Sequence, residues 1–203
     1  MDVDTKLHWE TIYANKTPQE VSWTQEKPET SIRLIESFGL NKNAKIIDVG
    51  GGESKLVDYL MEAGYENITV LDISENALNK AKLRLGEKAE NVTWIVSDIT
   101  TFEPTEAYDI WHDRAVFHFL TQENEINRYK NLVKQSVAKN MLIGTFSKNG
   151  PLKCSGLEIK QYDETSLLTT FGKDFEKLQC FTEDHTTPFE TIQNFIFCSF
   201  RKK

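Results

Sequence analysis

The sequence predicts an α/β fold: a doubly wound sheet of seven strands, mostly parallel, with an antiparallel hairpin at its C-terminal edge and helices on both faces. Three observations predict it. Short Val- and Ile-rich runs alternate with segments whose apolar residues recur at helical spacing, as in a parallel sheet built from βα units. The run Lys45-Ile46-Ile47-Asp48-Val49 leads through Gly50, Gly51 and Gly52 into a helix start, the strand–turn–helix of a nucleotide-type cofactor site. Two last alternating runs, 175–181 and 193–200, are placed to pair as a hairpin.

The chain of 203 residues is read as one domain, 1–203, with room for a core. A net charge of −7 argues against a nucleic-acid partner, whose backbone demands basic patches. No apolar run approaches the roughly 20 residues of a membrane span. Met1-Asp2-Val3-Asp4 lacks the basic and apolar regions of a leader, so the expected location is cytoplasmic and no membrane partner is expected. Cys154, Cys180 and Cys198 are too scattered for a disulfide framework or a metal site and are read as reduced thiols.

In chain order, Leu7 to Tyr13 has helical spacing that Thr17-Pro18 ends. A loop holding Trp23 follows, then a helix from Pro28 to Gly39 with Ile32, Ile35 and Phe38 inward. Residues 1–40 together are read as an N-terminal helical lid, anchored by Trp9. After the first strand, 45–49, Ser54 to Glu62 forms a helix. The second strand, from Asn67, ends at Asp72, at about the 20-residue distance of one βαβ unit from Gly50. Ser74 caps the next helix, which runs to Leu85. The third strand, Asn91 to Val96, ends at Ser97-Asp98-Ile99. Tyr108 to Ala115 is the fourth strand and its exit, Gln122 to Lys139 a long amphipathic helix, and Asn140 to Phe146 the fifth strand. Ser147 to Gly156 reads as a loop on the acceptor side of the pocket, with Lys153 and Cys154 as contacts; Glu164 to Phe171 is the last helix. Glu183, Asp184 and His185 fall in the connector of the final hairpin. Asp48, Asp72 and Asp98 each end a successive strand, and a parallel sheet places all three on one carboxyl edge, where ligands of such folds bind. An acid in the place of Asp72 can accept hydrogen bonds from both hydroxyls of a ribose.

These motifs carry a resemblance. Ile46-Ile47-Asp48-Val49-Gly50-Gly51-Gly52-Glu53-Ser54 resembles motif I of the class I S-adenosylmethionine (SAM)-dependent methyltransferase family, departing at Ser54, where many members have Gly. Val70-Leu71-Asp72-Ile73-Ser74 resembles motif II, and Tyr108 to Ala115 resembles motif IV of small-molecule methyltransferases. Trp111-x-Asp113-Arg114 is similar to the thiopurine and thiol S-methyltransferase branch. The resemblance implies a Rossmann-like fold with SAM as cofactor and S-adenosyl-L-homocysteine (SAH) as product. It places Asp48 near the methionine amino end, Gly50, Gly51 and Gly52 under the cofactor, Asp72 at the ribose with Ile73 as a further cofactor contact, and Asp98 and Ile99 at the adenine. Trp23 would cover the ligand and exclude water. His112 and Asp113 are expected to touch cofactor or acceptor, and His112, Asp113 or His185 to serve as a base where the acceptor must lose a proton. Arg114 either pairs with a carboxylate or holds an anionic substrate.

The expected function is therefore methyl transfer to an O, N or S nucleophile of a small molecule. The alternatives are a protein lysine or N-terminal methyltransferase and a SAM-binding protein without turnover. A dinucleotide-dependent dehydrogenase is disfavoured because Lys55 occupies the third glycine position of that fingerprint.

Overall fold

A computed structural model describes residues 4–203; residues 1–3, where the expected lid begins and which belong to the stretch read for a leader, lie outside them. Helix α1 (Thr5–Asn15) is followed by a single turn at Pro18–Glu20 and by α2 (Glu29–Ser37). The βα units are β1 (Lys45–Val49), α3 (Leu56–Glu62), β2 (Asn67–Asp72), α4 (Glu75–Leu85), β3 (Val92–Val96), β4 (Tyr108–Arg114), α5 (Glu123–Ser136) and β5 (Val137–Phe146). A short hairpin, β6 (Lys153–Cys154) and β7 (Leu157–Glu158), precedes α6 (Glu164–Phe171), β8 (Phe175–Thr186) and β9 (Ile192–Lys202).

The seven-stranded sheet has the order β3-β2-β1-β4-β5-β9-β8. The first five strands are mutually parallel, and β9 runs antiparallel to both β5 and β8. Strand alternation divides the core between the two faces. Ile46, Ile68, Val70, Ile110 and Leu142 pack with Leu34, Ile35, Leu60 and Leu78 of α2, α3 and α4. Ile47, Val49, Trp111, Met141 and Ile143 pack with Tyr129, Val133 and Phe171 of α5 and α6. The Rossmann-like architecture with its antiparallel C-terminal strands is as the sequence predicts.

Several boundaries differ. The helical pattern runs on to Lys139, yet Val137 already has extended backbone and pairs with Tyr108, so ladder formation overrides the helical period at 137–139. The expected loop at 147–156 contains β6, which turns into β7 through Ser155 and Gly156, both at positive φ (51° and 80°). That is the backbone of a tight two-residue hairpin turn. Glu183, Asp184 and His185 are not in a connector: β8 continues to Thr186 because Ile192, Gln193, Asn194 and Phe195 of β9 pair with it. The same register sets Cys180 opposite Cys198, and the two form a disulfide rather than remaining reduced; Cys154 is a free, buried thiol. Among the described residues, no helix is long and apolar enough to cross a membrane.

Candidate functional site

The carboxyl ends of β1, β2, β3 and β4 open into a cavity of about 340 Å³. Its floor is the glycine turn. Gly50 and Gly51 N–H groups both donate to the Leu71 carbonyl (2.7 and 3.2 Å), which draws the turn onto the end of β2. Gly52 has φ +47°, and a Cβ there would meet the Tyr13 hydroxyl at 2.9 Å and Asp72 Oδ2 at 3.0 Å. Both favour glycine here. Arg84 of α4 fixes the exit of the turn by donating to the Glu53 and Ser54 carbonyls while paired with Asp58.

Asp48, Asp72 and Asp98 all line this cavity, together with Gly50, Gly51, Ile73 and Ile99. Asp72 is buried, and its Oδ1 accepts from the Ser74 N–H at 2.8 Å. Burial raises its pKa to about 7, helped by the negative charges of Asp48 and Glu10 and opposed by the Ser74 and Gly52 amides. Asp98 Oδ1 accepts from both the N–H and the hydroxyl of Thr100, each at 2.7 Å, which shapes the turn after β3.

His112 is the centre of a hydrogen-bonded chain. Its Nδ1 lies 2.7 Å from Asp48 Oδ1 and its Nε2 lies 2.8 Å from Ser31 Oγ of α2. A carboxylate only accepts, so Nδ1 carries a proton; in the neutral imidazole Nε2 then accepts from the Ser31 hydroxyl. All three residues line the cavity.

Asp113, expected beside His112, is turned to the opposite face, because neighbouring residues in a strand alternate. It is fully buried against α5, accepting from the Tyr129 hydroxyl at 2.5 Å and from the N–H groups of Val116 and Phe117. Those bonds cap the turn at 117–119, and Asp113 does not reach the cavity. His185 is also outside it: the imidazole is buried on β8, with Nε2 2.7 Å from the Ser22 carbonyl. Lys153 points to solvent beside Glu158, whereas Cys154 does line the cavity.

The roof comes from the N-terminal segment. Trp9, Tyr13 and Trp23 contact one another edge-on or tilted, and Trp9 also meets Phe119; all four line the cavity. Trp23, expected to cover the ligand, lines the cavity together with Trp9 and Tyr13, whose i, i+4 spacing on one helix face is the signal in the sequence. Glu10, one residue on, docks α1: its carboxylate accepts from the N–H groups of Glu75 and Asn76 and from the Ser74 hydroxyl, completing the N-terminal cap of α4. Ser31, Arg84 and Arg114 complete the lining through contacts that join distant segments.

Residues 46–136 match a family described as a methyltransferase domain. The eEF1A lysine and N-terminal methyltransferase of Mus musculus is 25% identical over 123 residues, which are 59% of this chain and 17% of that protein. A malonyl-[acyl-carrier protein] O-methyltransferase of Anoxybacillus flavithermus is 30% identical over 126 residues, 59% of this chain and 47% of that protein. The chain thus spans less than half the length of either relative. A crystal structure of a SAM-dependent methyltransferase from Anabaena variabilis superposes with TM-score 0.78 at 15% identity, covering 100% of this chain and 96% of that one; at that identity the likeness is one of fold.

Proposed function

Residues 46–136 match a methyltransferase-domain family, and from that premise we propose that the chain is a class I SAM-dependent methyltransferase that moves the SAM methyl group to an O, N or S nucleophile of a small molecule. The observation that carries the reading is the shared cavity of Asp48, Asp72, Asp98 and the glycine turn. The residues fit the cofactor. Asp72 is a buried carboxylate with no cationic partner among the described residues, which suits a pair of ligand hydroxyls; Gly50 and Gly51 line the cavity beside it, whereas Gly52, expected under the cofactor, packs behind them against Tyr13 and Asp72. By the family resemblance, Ile73 contacts the cofactor, Asp98 and Ile99 hold the adenine, and Asp48 faces the methionine end.

The sulfonium of SAM supplies a methyl group already activated for in-line displacement. The protein's part is then orientation and exclusion of water. Trp9, Tyr13, Trp23 and Phe119 form a roof that serves this, and the arm from α1 to α2 acts as a lid tied down by Glu10. Where the acceptor must lose a proton, His112 takes it through the Ser31 hydroxyl, and Asp48 stabilises the resulting imidazolium across the 2.7 Å bond. Asp113 and His185 have no place in this step; Asp113 holds the turn that positions Phe119, and His185 holds the arm at Ser22.

Calorimetry of the full chain with SAH tests the cofactor assignment: micromolar binding that Asp72→Ala abolishes is expected, and absence of heat would overturn it. A second reading, protein lysine or N-terminal methylation, is favoured by the name of the mouse relative. Incubating cell extract with methyl-labelled SAM separates the two, since the small-molecule reading puts label in the low-mass fraction and the second puts it in protein.

A further inference from the structure

Arg114 ends β4 and lines the cavity. Its guanidinium donates through one terminal nitrogen, Nη1, to the Trp23 carbonyl at 3.0 Å, and its face rests 4.9 Å from the Phe195 ring centroid. The remaining edge, Nε and Nη2, is buried and has no acceptor among the described residues. That edge is the side-on fork, two parallel N–H groups whose spacing matches the two oxygens of a carboxylate.

Two acids lie near enough to act on Arg114 electrostatically, and neither fills the fork. Asp48 is engaged with His112, and Glu183 accepts from the Thr30 hydroxyl at 2.6 Å. The other neighbours supply no negative charge. Cys154 is a thiol, held protonated by burial, which pushes its pKa to about 11. His118, stacked on Phe146 at 4.4 Å, is held neutral by burial and by Arg114 itself, with a pKa near 3. Both His118 ring nitrogens and the Ser155 hydroxyl are likewise buried without partners among the described residues. A buried cation with an unfilled fork is costly unless an anion joins it.

We propose that the Nε–Nη2 edge of Arg114 anchors a carboxylate-type group on the methyl acceptor, so that the enzyme selects small anionic acceptors. The proposal rests on the methyltransferase reading above and names its substrate class. It also bears on the second reading, because a lysine ammonium entering beside Arg114 meets like charge. Entry requires the arm to lift, since the Trp23 carbonyl ties it to the same guanidinium and the fork is otherwise covered.

The test titrates small carboxylates (benzoate, acetate, succinate) and their uncharged amides into the full chain, with and without saturating SAH, by calorimetry and thermal shift. SAH itself is titrated first, so that failure of cofactor binding is recorded separately from failure of the anion site. Expected is binding of at least one carboxylate but not its amide, weakened at least tenfold in Arg114→Gln and by a larger factor than SAH affinity falls in the same variant. Arg114→Lys, which keeps the charge and loses the fork, is expected to fold as the parent does by circular dichroism and to lose carboxylate binding by about the same factor; it carries the test if the Gln variant does not fold. Absence of carboxylate binding, equal binding of the amides, or carboxylate binding unchanged in both variants would overturn the proposal. So would a tenfold loss of SAH affinity in the variants with the affinity for 5′-methylthioadenosine, which lacks the amino-acid carboxylate, intact; Arg114 would then hold the cofactor's own carboxylate.

Discussion

Asp48 and His112 are register partners on adjacent parallel strands, and their side chains meet at 2.7 Å, each almost wholly buried at the rim of the cavity. The acid and the imidazole project to the same face of the sheet, where Ser31 closes the chain from α2. This arrangement fixes the tautomer, so nitrogen chemical shifts of His112 should show the proton on Nδ1. Ser31→Ala leaves Nε2 buried and unpaired, at a cost of about 1–3 kcal/mol in unfolding free energy. If the relay carries the acceptor's proton, His112→Asn slows methyl transfer on the order of 10²-fold. Transfer at the parental rate in that variant would remove His112 from the mechanism.

Gly52→Ala tests the cradle. The new methyl group would stand 2.9 Å from the Tyr13 hydroxyl and 3.0 Å from Asp72 Oδ2, at a φ of +47° that non-glycine residues rarely adopt. The expected loss of stability is about 1 kcal/mol. The loss of SAH affinity should be larger in proportion, tenfold or more, because the methyl group fills the space beside the carboxylate assigned to the ribose. A variant that binds SAH as the parent does would show that the cofactor lies elsewhere.

Glu10→Gln tests the lid. Its carboxylate receives three hydrogen bonds at the N-terminus of α4, and although burial alone would raise its pKa, the Asn76 and Glu75 amides and the Ser74 hydroxyl hold it below the usual range. Removing the charge weakens the docking of α1 by about 1 kcal/mol. Amide exchange in residues 5–15 should then accelerate roughly fivefold while exchange in β1 and β4 stays unchanged. SAH affinity should fall by a smaller factor than in Gly52→Ala. Unaltered exchange in α1 would mean that the aromatic contacts of Trp9 and Tyr13 hold the arm without Glu10.

The parts of the site legible in the sequence are those written locally. Each of Asp48, Asp72 and Asp98 sits where an apolar run meets a turn, and a parallel sheet leaves no choice about which edge such ends share. His112 and Asp113 show where this stops. Alternation dictates that they face opposite ways, but only the packing of α2 on one face and α5 on the other decides which of them meets the cavity. The motif-based pairing of the two as site residues fails for that reason. His185 and the Cys180–Cys198 bridge depend on the register of β8 against β9, a relation between segments that neither segment carries alone. The aromatic roof was half legible: Trp23 stood out as an apolar residue in a polar loop, whereas Trp9 and Tyr13 had the spacing of an ordinary packing face.

Asp72 gives a pH prediction whose sign is unusual for a carboxylate. Its folded pKa, about 7, lies above the unfolded value of about 3.8, because burial disfavours the charged form. Between those values the unfolded state has released the proton and the native state has not, so the penalty grows as pH rises through this window and is constant above about pH 7. Asp113, raised to about 6 by burial, acts in the same direction, so the comparison must be with a variant rather than with pH alone. Asp72→Asn keeps an oxygen for the Ser74 amide and removes the penalty. Its melting temperature should exceed the parent's at pH 8 by several degrees and converge on it near pH 4. SAH binding should behave in the opposite sense. The ionised carboxylate accepts from ligand hydroxyls and the protonated form does so poorly, so parental affinity should fall, by up to tenfold per unit, as pH drops below about 7, and Asp72→Asn should bind weakly at every pH. A variant less stable than the parent at pH 8 would show that Asp72 is not strained by burial, and that its carboxylate is held by the fold rather than kept for a ligand.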